Sequence, residues 1–283
     1  MKKGYIIYAP KYSKSNGVRV LYKLAEILKS KGFSAYVFAP PSDEIECDFI
    51  SEITSEMREN YIVVYPEIVV GNPLQFKNVV RWVLYFSGKL GGEEKYWDYE
   101  NVFTFNEIYK SDCPVLSIST LDKKLFYADD TVKDIDAYFV YKGGKWKEVP
   151  ELEGLIEINA DFPKTRNELA NLLRRVKTLY TYDQYSLLLD EAKLCGCEVR
   201  LITKDGFSEY NPNYESFLSK IDSQIEYFIA STQKMNYKGK IQPLSFSYRC
   251  FLVAAKIKYF YYKYFSGNSD KAQKYFYKSK RMI

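Results

Sequence analysis

The sequence predicts an α/β protein of two parallel-sheet domains followed by a basic, aromatic helical segment. Three observations carry that prediction. Short apolar runs alternate with stretches of helical spacing along most of the chain, the pattern of parallel strands and their crossover helices. The 283 residues, 47% of them hydrophobic, suffice for two cores at roughly 150 residues per domain. The charge is also unevenly divided: residues 241–283 hold nine Lys or Arg against one acid, Asp270, so the segment is +8 in a chain of net charge only +5.

Residues 4–9 read as a first buried strand and 11–17 as a polar loop. Residues 18–31 read as a helix with Val20, Leu21, Leu24, Ile27 and Leu28 at apolar positions. Gly32 closes that helix in the left-handed conformation, and 35–39 form a second strand before Pro40-Pro41. A strand at 61–65 stops at Pro66-Glu67. Residues 78–86 are expected to be helical and 102–105 and 115–118 to be short strands, separated by acidic loops such as 91–94. The pattern restarts after Ala128-Asp129-Asp130-Thr131, which places the domains at 1–130 and 131–240, with 241–283 as the terminal segment. In the second domain, strands at 137–141, 155–158, 178–182 and 198–202 alternate with helices at 166–177 and 185–195.

Composition removes several chemistries. With no histidine, a Ser-His-Asp triad, a Cys-His pair and imidazole acid/base work are excluded. Any general base must be Asp, Glu, Tyr, Lys or a group of the substrate. The five cysteines are odd in number and never spaced C-x-x-C, which argues against a zinc ribbon and a disulfide framework. Cys195 and Cys197 read as packing residues. No apolar run approaches the roughly 18 residues of a membrane span, and the opening Met1-Lys2-Lys3-Gly4 stretch is too short in its apolar part for a signal peptide. The expected compartment is the cytoplasm.

Two stretches point to an anionic, phosphate-bearing ligand. In the first, a strand ends at Tyr182 and Asp183 is placed to cap the following helix. The positive end of that helix, at Tyr185 and Ser186, then faces the crevice above the sheet. Glu191 stands eight residues beyond Asp183, about 80° around the helix, where a carboxylate can accept hydrogen bonds from a ribose diol. In the second, Lys142-Gly143-Gly144-Lys145 follows the first strand of the second domain. Its glycines let the backbone approach a phosphate, and Lys142 and Lys145 supply positive charge, with Lys147 in reserve. Each has a plainer reading: Asp183 as a cap alone, Glu191 as an exposed helix acid, Gly143-Gly144 as a solvated hairpin turn, and Pro66-Glu67 as a strand-ending turn.

An acid, seven residues, Glu191-Ala192 and then Cys195-Gly196 before a strand resembles the donor-site signature of retaining GT-B glycosyltransferases, the Glu-x7-Glu type, with Asp183 in the place of the first Glu. The segment Tyr65-Pro66-Glu67, Gly71-Asn72-Pro73-Leu74 and Asn78-Val79-Val80-Arg81-Trp82 is similar to the first domain of bacterial capsule and O-antigen glycosyltransferases. Tyr8-Ala9-Pro10 occupies the loop where such enzymes admit the acceptor, its usual Gly-Gly reduced to Asn16-Gly17. The resemblance covers roughly 4–203 and is thin between 90 and 135.

It implies two Rossmann-like domains and a metal-independent hexosyltransferase-like reaction with retention, using a nucleotide-diphosphate sugar as donor and no further cofactor. No Asp-x-Asp motif of the GT-A type sits at the end of a strand here, so no metal is expected. It implies Glu191 on the ribose, and Lys142, Gly143, Lys145, Tyr185 and Ser186 around the diphosphate. Glu67 would be the acceptor-side carboxylate, with Asp183 the alternative group facing the sugar. The acceptor would be a glycan or lipid-linked glycan of capsule, O-antigen or lipopolysaccharide, met at the inner face of the cytoplasmic membrane. The rival from another class is a non-catalytic nucleotide- or glycan-binding α/β protein.

The terminal segment leaves three readings open. Residues 244–265, apolar and aromatic with Lys256, Lys258 and Lys263, suit a helix lying on an anionic membrane surface. They equally suit a closing helix that crosses back onto the first domain. Nucleic acid is the third, disfavoured because the rest of the chain is slightly acidic.

Overall fold

The computed structural model describes residues 2–140, 145–211, 214–241, 243–244 and 246–282. The chain forms two compact units, Met1–Ser119 with Leu218–Ile283, and Thr120–Phe217. Each carries a five-stranded sheet.

The first unit begins β1 (Tyr5–Tyr8), α1 (Asn16–Ser30), β2 (Ala35–Phe38), α2 (Ser55–Asn60), β3 (Ile62–Pro66), β4 (Asn78–Val83) and β5 (Asn101–Thr104). The strands are all parallel, in the order β2-β1-β3-β4-β5. Helix α1 forms as its spacing predicts, burying Val20, Leu21, Leu24 and Leu28, and Gly32 follows it at φ 77°.

The expected helix at 78–86 is instead strand β4. All six of its residues are buried, with Val80 and Trp82 in the core on one face of the sheet and Val79 in the core on the other. Apolar residues stand next to one another in a strand buried on both faces, as Val79-Val80 and Trp82-Val83 do, so the period of two is hidden and the run reads equally as a buried helix. The strand expected at 115–118 reduces to a single bridge, Val115 to Thr104.

The second unit contains β6 (Ile135–Phe139), β7 (Ile156–Ile158), α3 (Arg166–Arg175), β8 (Val176–Thr181), α4 (Leu187–Leu194), β9 (Glu198–Thr203) and β10 (Gly206–Glu209). Its order is β10-β9-β8-β6-β7, parallel except for β10, which the sequence pattern did not reveal. Helix α3 opens on a capping box between Thr165 and Glu168. Lys133 donates through Nζ to the carbonyls of Leu173, Arg174, Val176 and Cys195, satisfying acceptors at the ends of both α3 and α4. Cys195 and Cys197 are buried in this unit's core, and burial pushes their thiols up to about 11 and about 12. The expected α/β architecture of two Rossmann-like domains is compatible with this pair of mostly parallel sheets.

Three helices complete the chain: α5 (Tyr214–Gln233), α6 (Phe246–Tyr264) and α7 (Ser269–Ser279). The second domain was expected to run to residue 240, but the chain rejoins the first unit at Leu218. Two observations explain the difference. Ile225 and Phe228 of α5 are buried in the first unit's core, each such side chain worth about 1.5–3 kcal/mol. The Thr232 hydroxyl meets that of Tyr5 at 2.8 Å, and Gln233 bonds both the N–H and the carbonyl of Lys3. Tyr277 near the end of α7 and Met282 beyond it pack with Ile6, Tyr8 and Tyr65 on the other face of the first sheet.

Candidate functional site

In both sheets the chain crosses from one side of the first strand to the other, at β1/β3 in the first unit and at β6/β8 in the second. Loops diverge at such a switch point and leave a crevice beyond the carboxyl ends of the strands.

In the first unit that place holds a cavity of about 620 Å³, within the range of small-molecule sites. Its wall includes Tyr8 at the end of β1, Val69 to Pro73 after β3, and the rings of Trp97, Tyr99, Tyr248 and Phe251. The space follows from an irregular crossover. Residues 67–77 link β3 to β4 without a helix, and a hydrogen-bonded loop covers less of the sheet face than a helix would.

The loop is held by buried polar groups. Tyr65 donates its hydroxyl to Asn72 Oδ1 at 3.0 Å and accepts the Leu74 N–H at 3.0 Å, while Asn72 Nδ2 donates to the Phe76 carbonyl at 2.7 Å. Arg81 on β4 is fully buried; its Nη1 and Nη2 donate to the Val69 and Gly71 carbonyls at 2.6 and 2.8 Å. Its Nε and Nη2 also clasp the Glu100 carboxylate at 3.0 and 3.2 Å. Burial pushes the Glu100 carboxyl above its ordinary value and Arg81 pulls it back.

Glu67, expected as an acceptor-side carboxylate, does not line this cavity. It is 3% exposed, and its Oε2 accepts the Leu84 N–H at 2.9 Å, tying the end of β3 to the end of β4. Gly92 lies so close that a Cβ there would come within 1.8 Å of the Glu67 carbonyl oxygen. The carboxylate on the cavity wall is Glu93, whose Oε2 accepts the Gly71 N–H at 3.1 Å.

Among the described residues the second unit's expected ligands fall in three places: Lys145 in the segment after β6, Asp183 to Ser186 before α4, and Glu191 within α4. Lys142 and Gly143 lie outside the described residues. Lys145 reaches the carboxyl ends of the strands: its Nζ donates to the Tyr138 hydroxyl at 3.1 Å and lies 3.6 Å from Glu157. The Tyr138 hydroxyl in turn donates to Glu157, and this bond, with Asn159 and Lys145, holds the Glu157 carboxyl below its ordinary value. Trp146 packs edge-on against Tyr182 at 5.9 Å, and the Tyr182 hydroxyl donates to the Lys147 carbonyl, so the segment after β6 meets the end of β8.

Asp183 does not cap α4. Its Oδ1 accepts the Tyr185 N–H at 2.9 Å in a local turn, and the cap is Ser186, whose Oγ accepts the Leu188 N–H at 3.3 Å. The amides of Tyr185 and Leu188 are therefore bonded within the chain, and what the helix start offers an anion is chiefly its dipole. Glu191 is not an exposed helix acid: it is 3% exposed and accepts Arg166 Nη1 at 2.9 Å. Arg166 stacks over Phe126 at 4.7 Å, and its Nη2 is buried with no hydrogen-bond partner in the structure.

Glu93, Arg81, Glu100 and Arg166 are candidate-site residues that sequence reasoning missed. For Arg81 a signal existed, since a charged residue inside Val-Val-Arg-Trp-Val requires a buried partner wherever that run packs. For Glu100 and Arg166 none existed, because their partners lie 19 and 25 residues away and only the fold brings them together. Among the described residues, no group of three or more Cys, Asp or Glu side chains is placed to hold a metal ion. No protein-family model and no curated protein matches the chain.

Proposed function

We propose that this protein is a glycosyltransferase that moves a sugar from a nucleotide-diphosphate sugar to a bacterial surface glycan, of the capsule, O-antigen or lipopolysaccharide kind, in a metal-independent reaction with retention. The observation that carries the reading is the cavity of about 620 Å³ at the switch point of the first sheet, walled by Tyr8, Trp97, Tyr99, Tyr248 and Phe251 with Asn72 and Glu93 among them. Aromatic faces stack on the apolar C–H faces of a sugar ring, while a carboxylate oxygen accepts from its hydroxyls. In this reading the cavity takes the acceptor, with Glu93 rather than the buried Glu67 as the orienting carboxylate.

The donor belongs to the second unit. Lys145, with Lys142 beside it in sequence, and the α4 dipole would stabilise charge developing on the departing diphosphate. Asp183 is the carboxylate assigned to the sugar and Glu191 the one assigned to the ribose. The Glu191–Arg166 ion pair counts against the ribose assignment, since a carboxylate already paired is less available to a diol.

The deciding experiment incubates the full chain with a panel of nucleotide-sugars and a lipid-linked acceptor extract and measures nucleoside diphosphate release. Release that disappears in Lys145→Ala and in Glu93→Ala is the expected result. Nucleotide binding with no release from any donor would establish the non-catalytic reading instead.

A further inference from the structure

Helix α6 has two apolar faces and only one is covered. Tyr259 and Tyr262 pack against α7, at 5.4 Å from Phe276 and 5.5 Å from Tyr275, and Leu252 and Ala255 on the same side are buried. At 100° per residue, Val253, Ile257, Phe260, Tyr261 and Tyr264 fall on the opposite side within an arc of about 100°. Val253 is 58% exposed and Ile257 64% exposed, and Phe260, Tyr261 and Tyr264 are each more than half exposed. An aliphatic and aromatic stripe of this length facing water is unusual for a surface helix.

Charge identifies what covers it. Arg249, Lys256 and Lys263 border one edge of the stripe and Lys258 the other, each within roughly 60° of it. The segment 241–283 has a single acid and a net charge of +8. A second copy of the chain would set this charge against itself. Nucleic-acid phosphates would satisfy the lysines and leave Val253 and Ile257 without a partner. A bilayer with anionic headgroups satisfies both: apolar side chains enter the acyl boundary, tyrosine hydroxyls stay at headgroup depth, and flanking lysines reach up to the phosphates.

We infer that α6 is an interfacial helix that lies parallel to an anionic lipid surface, with its Val253–Ile257–Phe260–Tyr264 face in the lipid and α7 on the side away from it. Among the described residues no helix is long and apolar enough to cross a membrane, and the lysines at both edges of the stripe fit a helix lying in the interface. Of the three readings the sequence leaves open for this segment, the start of α6 and the end of α7 return onto the first unit, with Tyr248 and Phe251 on the cavity wall and Met282 beside Tyr8, and the outward face of α6 supplies the membrane surface. The inference stands apart from sugar transfer and survives its failure.

The test is sedimentation of the full chain with vesicles of phosphatidylcholine containing about 30% phosphatidylglycerol, against phosphatidylcholine alone. The expected result is binding to the anionic vesicles only, weakened roughly tenfold between about 0.1 and about 0.5 M salt. Val253→Asp with Ile257→Asp should lower the partition ~100-fold with an unchanged melting temperature, because neither side chain is packed. Phe260→Trp supplies a second readout, a blue-shifted emission on adding the same vesicles. Equal binding to neutral vesicles, or no loss in the double variant, would overturn the inference. So would a lipid-free dimer, or a complex with an oligonucleotide, that the double variant abolishes.

Discussion

The third and fourth strands of the two sheets are joined in different ways, and the difference separates the chemistry of the units. In the second unit β8 leads through α4 to β9, and α4 buries Leu188, Leu189 and Ala192 on the sheet. In the first unit β3 reaches β4 through residues 67–77, which form no helix. A helix covers its sheet face with its own side chains and satisfies its own backbone. A loop does neither, so its carbonyls need donors from elsewhere and the uncovered face becomes a cavity. The donors are Arg81 and Asn72, with the Tyr65 hydroxyl accepting the Leu74 N–H, and the cavity is the one of about 620 Å³. The first unit thus builds an aromatic pocket with a polar clasp behind it, and the second presents charged side chains around a capped helix start.

The largest test of this contrast is Arg81→Leu. It leaves Glu100 buried and uncompensated and frees the Val69 and Gly71 carbonyls, so urea denaturation should show a loss of about 3–5 kcal/mol. Adding Glu100→Leu to the same chain should recover part of that loss but not the cavity wall, whose carbonyls still lack donors. If Arg81→Leu alone is neutral, the loop is not held as described.

In the second unit the matching change is Glu191→Ala, which strands Arg166 between α3 and α4. Because the Arg166 side chain is 21% exposed, water can compensate in part, and the expected loss is smaller, about 1–3 kcal/mol by the same measurement. A loss as large as that of Arg81→Leu would show that the two ion pairs hold their units equally.

The smallest effect concerns Asp190 on α4. Burial raises its carboxyl above the ordinary value, and the Tyr210 hydroxyl, donating at 3.0 Å, offsets part of this. A raised folded value means that stability is fully present below the unfolded value of about 3.9 and is lost as pH climbs through the folded one. Asp190→Asn removes that dependence and keeps an oxygen for Tyr210 to donate to. Thermal melting should therefore show wild type and variant differing most at pH ~7, in favour of the variant, and converging toward pH ~4. A difference that grows with acid would reverse the assigned sign.

Local signals carried much of the fold. The spacing of Val20, Leu21, Leu24 and Leu28 gave α1, Gly32 gave its end, and the alternation of short strands with helices gave two parallel sheets. Where burial is two-sided the signal vanished: β4 reads as a helix because Val79 and Val80 are both inside, on opposite faces. The candidate sites were less legible. Asp183, Tyr185 and Ser186 were found at the start of α4, but which of them caps the helix depends on backbone geometry that composition does not contain. Glu67 reads as an acceptor-side carboxylate and Glu191 as the ribose ligand, yet each is 3% exposed and hydrogen-bonded inside its unit.

By itself the sequence determined the absence of imidazole chemistry, the α/β pattern, and the separation of a basic, aromatic end from a slightly acidic body. These are properties of composition and near-neighbour spacing, which the chain carries whether folded or not. Tertiary structure alone decided the rest. It placed Arg81 opposite Glu100, Arg166 opposite Glu191 and Met282 beside Tyr8, and it turned one apolar face of α6 toward α7 and the other toward solvent. The reason is physical. Ion pairing and burial depend on distance in space, and partners many residues apart in the chain are brought within 4 Å only by the packing of the whole unit.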